Sequence, residues 1–485
     1  MKSDLASGLN QADLHLQYQH HEGGIKGGFR LKDLQVSSAE FFGTFFLAFI
    51  ISMTKVNLAA SPETIPIAVG FGLVAIVYFC GPISGGMVNP AVTIALVTRN
   101  KLSLYEATYC IVFQVLGAFL AGFIAYALYD EEWQNTGYPA IADSHRIGQA
   151  FVGEMLQTFV LCSTVLNTAT TKAQDNNSYY GIAIGFVVLS GALVIGGVTG
   201  ACFNPAVGAL SFLHGDYSGT WVFIVAPAVG GVMAGLVFRI TNPSEWDDSD
   251  PILKLTHAHH NPDGNLTRLA AMLTQEFIGT FFLAWIVALT VNASSVLAGM
   301  LAVGTIVVSV GFMGGAISGA HYNPAITLGV YIRGLKESPQ VMRGMDCFMY
   351  MVIQVVAAIA AGATASYVNN GLADIASPTV NTEEHTIFGA ICLELILTFG
   401  LVLGVLSVGT SVKVRGNSYA ATAVGLYIVS AQVVGGDISG AVMNPAIGNS
   451  NCTTVIFTDC IPTHHYNAHI FMSFCYITLY ACMNA

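Results

Sequence analysis

The sequence has few charged residues: Asp, Glu, Lys and Arg together make up 9% of its 485 residues. Soluble globular proteins carry about 25%, so this chain cannot cover a water-facing surface with charge. Because 54% of the residues are hydrophobic, the chain also lacks the composition of a disordered protein. Acidic residues outnumber basic ones by 28 to 17, which leaves no basic surface for nucleic acid. The composition therefore predicts a polytopic membrane protein.

Several chemical signatures are also missing. The ten cysteines show no zinc-binding spacing, and most lie in apolar runs where a small buried side chain is expected. There is no nucleophile–base set and no phosphate-binding loop, so the sequence predicts no enzyme, no cofactor and no metal site. Residues 1–35 are polar and lack the apolar core of a secretory signal. Histidines cluster in two polar segments, where solvated tails are a simpler interpretation than metal binding: His15, His20, His21, His257, His259 and His260.

Twelve apolar runs are long enough to cross a bilayer as helices, which takes about 17–25 residues. Six precede a polar, acidic stretch at 242–270 and six follow it, the last being short and weak. The sequence therefore predicts an all-α membrane protein. The runs lie near 38–55, 64–80, 103–128, 148–170, 179–198, 219–241, 271–291, 295–314, 344–368, 386–409, 418–435 and 465–484.

Basic residues concentrate on one side of the predicted membrane. If the N-terminus is cytoplasmic, fifteen of the 17 Lys and Arg residues fall in inner segments, and only Lys55 and Arg146 fall outside. Loops rich in Lys and Arg stay on the cytoplasmic side, so both termini and the central linker are predicted to be cytoplasmic. Six crossings return the chain to its starting side, so the two halves are predicted to be parallel.

The two halves are copies of each other. Residues 39–50 read AEFFGTFFLAFI and residues 275–286 read QEFIGTFFLAWI, with nine of twelve positions identical. We therefore divide the chain into a polar N-terminal tail (1–35), a first repeat (36–241), a polar cytoplasmic linker (242–270) and a second repeat (271–485) with a degenerate last span.

A finer repetition lies inside each half. Four segments share a core around Asn-Pro-Ala: ISGGMVNPAVT (83–93), TGACFNPAVG (199–208), ISGAHYNPAIT (317–327) and ISGAVMNPAIG (438–448). The two copies within a half are separated by three spans, which places them on opposite sides of the membrane. This inverted repeat predicts a transport pathway near the bilayer midplane. The motif residues are Asn89, Pro90, Ala91, Asn204, Pro205, Ala206, Asn323, Pro324, Ala325, Asn444, Pro445 and Ala446.

Asn-Pro-Ala is a helix start. Asn is a preferred N-cap residue, and Pro is favoured at the first helical position. The apolar run behind the motif, such as 92–97, is too short to span a membrane, so a re-entrant half-helix buried by protein is predicted. Two such helices entering from opposite faces would meet at their positive ends, which resist cations and protons, while the Asn amides offer donors to a passing oxygen.

With these motifs the chain resembles the aquaporin or major intrinsic protein family, duplicated in tandem over residues 36–483. The resemblance implies two right-handed bundles, each of six transmembrane helices and two re-entrant half-helices. It also implies that buried glutamates brace the re-entrant loops, and that Gln114 and Gln354 follow the family pattern. The bracing positions map onto Glu40, Glu154, Glu276 and Glu394.

The resemblance further implies an outer selectivity constriction of four positions per repeat, counted from the motif asparagines. Family members typically place an arginine third after the second-motif asparagine, where this chain has Val207 and Ile447. A constriction without arginine would select less strictly for water and exclude cations less well. Its small apolar side chains would either pass larger neutral solutes or dewet and close, and the sequence leaves both outcomes open. The aspartate typical of glycerol channels is also missing, since Gly208 and Gly448 follow. The positions are Val69, Ala192, Ala201 and Val207, then Val303, Gln432, Ala441 and Ile447.

Two functions remain open from the sequence. One is a passive channel for water or small neutral solutes, with the first repeat as the better-kept pore. The other is a non-conducting structural subunit of a larger membrane assembly, suggested by the missing arginines and the weak last span. A secondary transporter would need charges within the membrane for ion coupling, and the only clear ones are the four glutamates. By resemblance, two parallel repeats predict a pseudo-tetramer made of two chains in the lipid bilayer.

Overall fold

A computed structural model describes residues 30–54, 61–129, 137–215, 217, 219–245, 265–334, 342–371, 375–376, 380–414 and 416–448. These residues form helices and connecting turns, with no β-strand among them. The long helices of the first repeat are α1 (Leu31–Thr54), α2 (Thr64–Ser84), α4 (Leu104–Tyr129), α5 (Ile147–Ala169), α6 (Tyr180–Thr199) and α8 (Thr220–Thr241). Those of the second repeat are α9 (Asn265–Leu289), α10 (Val296–Gly314), α12 (Gly344–Val368), α13 (Ile387–Gly409) and α14 (Ala420–Ser439).

All eleven long helices are apolar and long enough to cross a membrane. They confirm the predicted spans, with ends that mostly differ by only a few residues. The largest shift is in α1, which begins at Leu31 rather than near residue 38 because Asp33 sits in its first turn, where a carboxylate favours a helix start. The predicted twelfth span, 465–484, lies outside the described residues.

Four short α-helices each begin at the proline of an Asn-Pro-Ala motif, and the described residues also contain several short 3₁₀ helices. The four α-helices are α3 (Pro90–Thr98), α7 (Pro205–Gly208), α11 (Pro324–Gly334) and α15 (Pro445–Gly448). The first short helix of each repeat has two to three turns, whereas α7 has one turn and continues as a 3₁₀ helix over Ala209–Phe212. All four are too short to span a bilayer, as predicted.

The chain divides into two compact units. The first comprises Met1–Leu189 and Val198–Phe238, and the second comprises Ser190–Gly197 and Arg239–Ala485. Within each repeat, glycines let long helices cross closely. A β-carbon at Gly185 of α6 would lie 2.6 Å from the Gly70 carbonyl oxygen of α2. At the equivalent crossing of α14 with α10, a β-carbon at Gly425 would lie 2.5 Å from the Gly304 carbonyl oxygen. Backbone-to-backbone packing of this kind accounts for part of the high glycine content.

Candidate functional site: a paired motif in each repeat

The asparagine of each motif caps the short helix that follows it. Asn89 is extended, with φ −158° and ψ 118°, and its Oδ1 accepts a hydrogen bond from Ala91 N at 2.9 Å. Asn204 has φ −149° and accepts from Ala206 N at 3.0 Å. This is the N-cap geometry that the sequence predicts. Proline suits the next position because its missing N–H would have no helical partner there.

The same asparagines tie the two motifs of the first repeat together. Asn89 Nδ2 donates to Phe203 O at 2.9 Å, and Asn204 Nδ2 donates to Val88 O at 2.9 Å. Each asparagine therefore bonds to the carbonyl just before its partner, so the two short helices meet at their N-termini. An amide nitrogen carries two hydrogens, and each of these amides has a second one for an oxygen beside the motif.

The second repeat has the same arrangement. It shows one cap and one cross-connection at each motif, all four between 2.8 and 3.1 Å. The bonds run from Asn323 Nδ2 to Met443 O, from Asn444 Nδ2 to Tyr322 O, from Ala325 N to Asn323 Oδ1 and from Ala446 N to Asn444 Oδ1. Both repeats thus bring their two predicted motifs into contact.

The residue before each motif asparagine has a left-handed backbone. The φ angles are 42° at Val88, 50° at Phe203, 50° at Tyr322 and 49° at Met443. A side chain in this region costs about 1–3 kcal/mol, and β-branched valine is among the residues least suited to it. The carbonyls of these same four residues accept the cross-connecting hydrogen bonds, so the strained backbone turn is part of the motif pairing.

A buried glutamate holds each strained turn. Glu40 is fully buried in α1, and its Oε1 accepts from Ser84 Oγ at 2.5 Å and Met87 N at 3.1 Å. Its Oε2 accepts from Val88 N at 2.7 Å and Gln114 Nε2 at 2.6 Å. The carboxyl group thus fixes the N–H of the left-handed residue while the partner asparagine fixes its carbonyl. Four hydrogen bonds satisfy a group that would otherwise be costly inside a membrane.

The other three glutamates repeat this contact. Each accepts from a hydroxyl and from the backbone N–H of the left-handed residue and of the residue before it. The sets are Glu154 with Thr199, Cys202 and Phe203; Glu276 with Ser318, His321 and Tyr322; and Glu394 with Ser439, Val442 and Met443.

The hydroxyl donors were not assigned from the sequence, although a signal for them was present. A Ser or Thr stands before glycine in all four motif segments, and its hydroxyl donates to the glutamate at 2.5–2.7 Å. These residues are Ser84, Thr199, Ser318 and Ser439. The exchange between Ser and Thr indicates that a β-hydroxyl is required here.

A glutamine links each glutamate of a first motif to its short helix. Gln114 Nε2 lies 2.6 Å from Glu40 Oε2 and 3.1 Å from Thr93 Oγ1. In the second repeat, Gln354 Nε2 lies 2.9 Å from both Glu276 Oε2 and Thr327 Oγ1. The sequence marked the two glutamines by resemblance only, and the threonines were missed because nothing separates them from ordinary apolar-helix threonines.

The proposed constriction positions fall on equivalent elements of the two repeats. Val69 and Ala192 lie on α2 and α6, and Val303 and Gln432 lie on α10 and α14. Ala201 and Ala441 lie in the strained turns, with φ of 54° and 45°. Val207 and Ile447 lie on the one-turn helices α7 and α15, and both are buried. Gln432 Oε1 is buried and has no hydrogen-bond partner among the described residues.

The profile of the major intrinsic protein family matches the chain twice, over residues 30–238 and 264–472. The chain belongs to this family. It is therefore a multi-pass integral membrane protein of a channel family and not an enzyme, and its two matches make it a tandem duplication. The fold prediction of two aquaporin-like bundles is confirmed in the described residues, which carry eleven spans.

Individual relatives match one repeat's length of the chain. Aquaporin PIP1-1 of Arabidopsis thaliana is 35% identical over 216 residues, which cover 41% of this chain and 76% of that protein. Glycerol uptake facilitator protein-like 6 of Lactiplantibacillus plantarum is 33% identical over 211 residues, covering 42% and 95%. Among solved structures, the aquaglyceroporin from Plasmodium falciparum is 24% identical, with a TM-score of 0.39 over 42% of this chain and 95% of that one.

Proposed function

We propose that the chain is a passive channel for water and small neutral solutes, with one candidate pore in each repeat. The observation that carries the proposal is the pairing of two helix N-termini by Asn89 and Asn204, and by Asn323 and Asn444. Each pair presents amide donors to an oxygen, and the helix starts disfavour cations. An aquaporin and a glycerol uptake facilitator among the relatives support these substrate classes.

The proposed selectivity follows from the eight constriction positions, none of which carries charge. Val207 and Ile447 occupy the positions where the family typically has arginine. An arginine would supply donors and a fixed positive charge at the narrowest point. Its replacement by aliphatic side chains in both repeats favours passage of neutral solutes larger than water.

Stopped-flow light scattering on proteoliposomes tests this proposal. We expect osmotic water permeability and glycerol permeability above those of protein-free vesicles. Val207→Arg and Ile447→Arg restore the typical family residue, and we expect each to lower glycerol permeability more than water permeability in a repeat that conducts. Val207→Leu and Ile447→Leu are the matched apolar controls. Permeabilities equal to those of empty vesicles for the unaltered chain would overturn the proposal.

The proposed placement in the membrane follows from charge and duplication. Fifteen of 17 basic residues lie in segments on the side of the N-terminus, which supports cytoplasmic termini and a cytoplasmic linker. Two family units in one chain support a pseudo-tetramer formed by two chains. Native mass spectrometry of the detergent-purified protein is expected to show a two-chain species. A single chain throughout, or a complex with unrelated subunits, would contradict this.

A further inference from the structure

A three-residue cluster lies apart from the paired motifs in the second repeat. Glu384 and His385 precede α13, and Asp437 lies near the C-terminal end of α14. One ligand atom from each side chain, an imidazole nitrogen and two carboxylate oxygens, lies within 4.8 Å of the other two. His385 is half-buried, and the two carboxylates are exposed. None of the three side chains has a hydrogen bond or ion pair with another described residue.

The backbone holds the two parts of the cluster together. Asn381 N donates to Ile438 O at 3.2 Å, directly after Asp437, and His385 N donates to Asn381 O at 3.0 Å. The loop that carries Glu384 and His385 is thereby attached to the end of α14. Because the main chain fixes their spacing, the three side chains need only small rotations to meet at one point.

We propose that Glu384, His385 and Asp437 form a binding site for a divalent transition-metal ion such as Zn²⁺. An imidazole with two carboxylates suits zinc and its neighbours, whereas Mg²⁺ and Ca²⁺ prefer oxygen ligands alone. Ligand atoms about 2.0–2.2 Å from a tetrahedral zinc lie roughly 3.4 Å apart. The ligand atoms lie within 4.8 Å of one another, so rotation of the exposed Glu384 and Asp437 has to close at most about 1.4 Å to reach the tetrahedral spacing, and water completes the coordination.

The position of this site connects it with the second candidate pore. Asp437 lies in the last turn of α14, four residues before Ala441 and seven before Asn444 of the second motif of that repeat. A bound divalent ion would cancel the two negative charges that Glu384 and Asp437 place on this side of the motif. The same repeat has Ile447 where the family typically carries a positive side chain. Metal binding would therefore remove the negative charge of this cluster from a repeat whose constriction carries no charge.

The first repeat provides a matched internal control. His145 stands at the position equivalent to His385, two residues before the helix start, but Ser144 and Gly197 replace the two carboxylates. Ser144 Oγ lies 2.9 Å from His145 Nδ1, so the imidazole there is paired with a hydroxyl. A lone histidine with a serine does not make a three-ligand site, so the proposal applies to the second repeat only.

Isothermal titration of ZnCl₂ into the full chain tests the proposal, with the protein purified in detergent without a histidine tag and stripped with chelator. We expect saturable binding at one site that excess Mg²⁺ does not displace. His385→Ala is expected to weaken it by about tenfold or more, since even residues behind metal ligands contribute 10–100-fold. His145→Ala is expected to leave it unchanged. Glu384→Gln and Asp437→Asn, which preserve side-chain shape, are each expected to weaken it.

Three results would overturn the proposal. They are no saturable Zn²⁺ binding by the unaltered chain, unchanged affinity in His385→Ala, and displacement of Zn²⁺ by Mg²⁺ at similar concentration, which would indicate an exposed acidic surface only. Size-exclusion chromatography shows whether each variant is folded. If His385→Ala fails to fold, Glu384→Gln and Asp437→Asn decide the question in its place.

Discussion

The two repeats hold their motifs in the same way but differ in the side chains placed around them. Beside the first motif, Thr93 Oγ1 lies 3.6 Å from the Met87 sulfur in the first repeat. In the second repeat, Thr327 Oγ1 lies 3.2 Å from His321 Nδ1. The glutamate and glutamine around each threonine are unchanged. The supporting network is therefore retained while the neighbouring side chain changes from a thioether to an imidazole.

The left-handed residues show the same freedom. In the first repeat the aromatic residue stands at the second motif, as Phe203, and Val88 stands at the first. In the second repeat the aromatic residue, Tyr322, stands at the first motif and Met443 at the second. Glutamate binds the backbone N–H of each of these residues, and asparagine binds its carbonyl. The comparison teaches that the motif constrains the backbone there and leaves the side chain free to fit the local packing.

The largest expected effect comes from removing the buried glutamate that supports the first motif in each repeat. Three or more hydrogen-bond donors converge on the carboxyl groups of Glu40 and Glu276. Glu40→Gln and Glu276→Gln each replace one accepting oxygen by an NH₂ group, which then faces other donors and loses their hydrogen bonds. Hydrogen bonds to a charged group contribute about 1.5–3 kcal/mol each, so we expect a loss of about 3 kcal/mol or more. Fluorescence-detected size-exclusion after heating measures this as a lower melting temperature and a reduced monodisperse peak.

The exposed Glu383→Gln is the matched control, since it makes the same chemical change outside the membrane-spanning part. We expect its melting temperature to match that of the unaltered chain. If Glu40→Gln were as stable as this control while Glu276→Gln was not, the two networks would not be equivalent, and the idea of a common support would be wrong.

The sequence alone predicts the helices and the motif starts well, and it fails at the turns between them. Hydropathy places the spans because a bilayer requires about 20 apolar residues, and Asn-Pro places the caps because few residues suit those positions. The left-handed backbone of Val88 has no local signal, since valine disfavours it. That turn is set by Glu40, 48 residues away, and by Asn204, 116 residues away. The family resemblance implies a bracing glutamate, but the backbone groups that it binds and the bond from Asn204 are visible only in the folded chain.

A smaller effect is expected where the repeats exchange their aromatic residue. The Tyr322 hydroxyl donates to Val310 O at 3.0 Å and accepts from Gln275 Nε2 at 3.0 Å. Tyr322→Phe removes both bonds and leaves a buried amide without this acceptor, so we expect a loss of about 1–2 kcal/mol in stability. Thermal unfolding checks it, with the half-exposed Tyr105→Phe as control. An unchanged melting temperature would show that the packing of the ring beside Gly279 stabilises the fold and that the hydroxyl contributes nothing to stability.

The smallest effect is expected at Gln157 of α5, where the second repeat has Leu397. Gln157 is fully buried, and its Nε2 donates to Val187 O at 2.7 Å, but its Oε1 has no partner among the described residues. Gln157→Leu loses one hydrogen bond and also removes an unsatisfied acceptor, and the two terms, each about 1 kcal/mol, offset each other. We therefore expect a melting temperature close to that of the unaltered chain.

The same variant separates packing from conduction in the first repeat. If Oε1 serves only packing, we expect water permeability to stay unchanged when leucine replaces Gln157, since the second repeat already has Leu397 at this position. If Gln157→Leu lowers the water permeability of proteoliposomes while stability stays constant, Oε1 receives its hydrogen bond from permeating water. The first repeat would then have a polar position in its pathway, Gln157, where the second repeat has Leu397. The two candidate pores would differ there in addition to the known difference between Ala192 and Gln432.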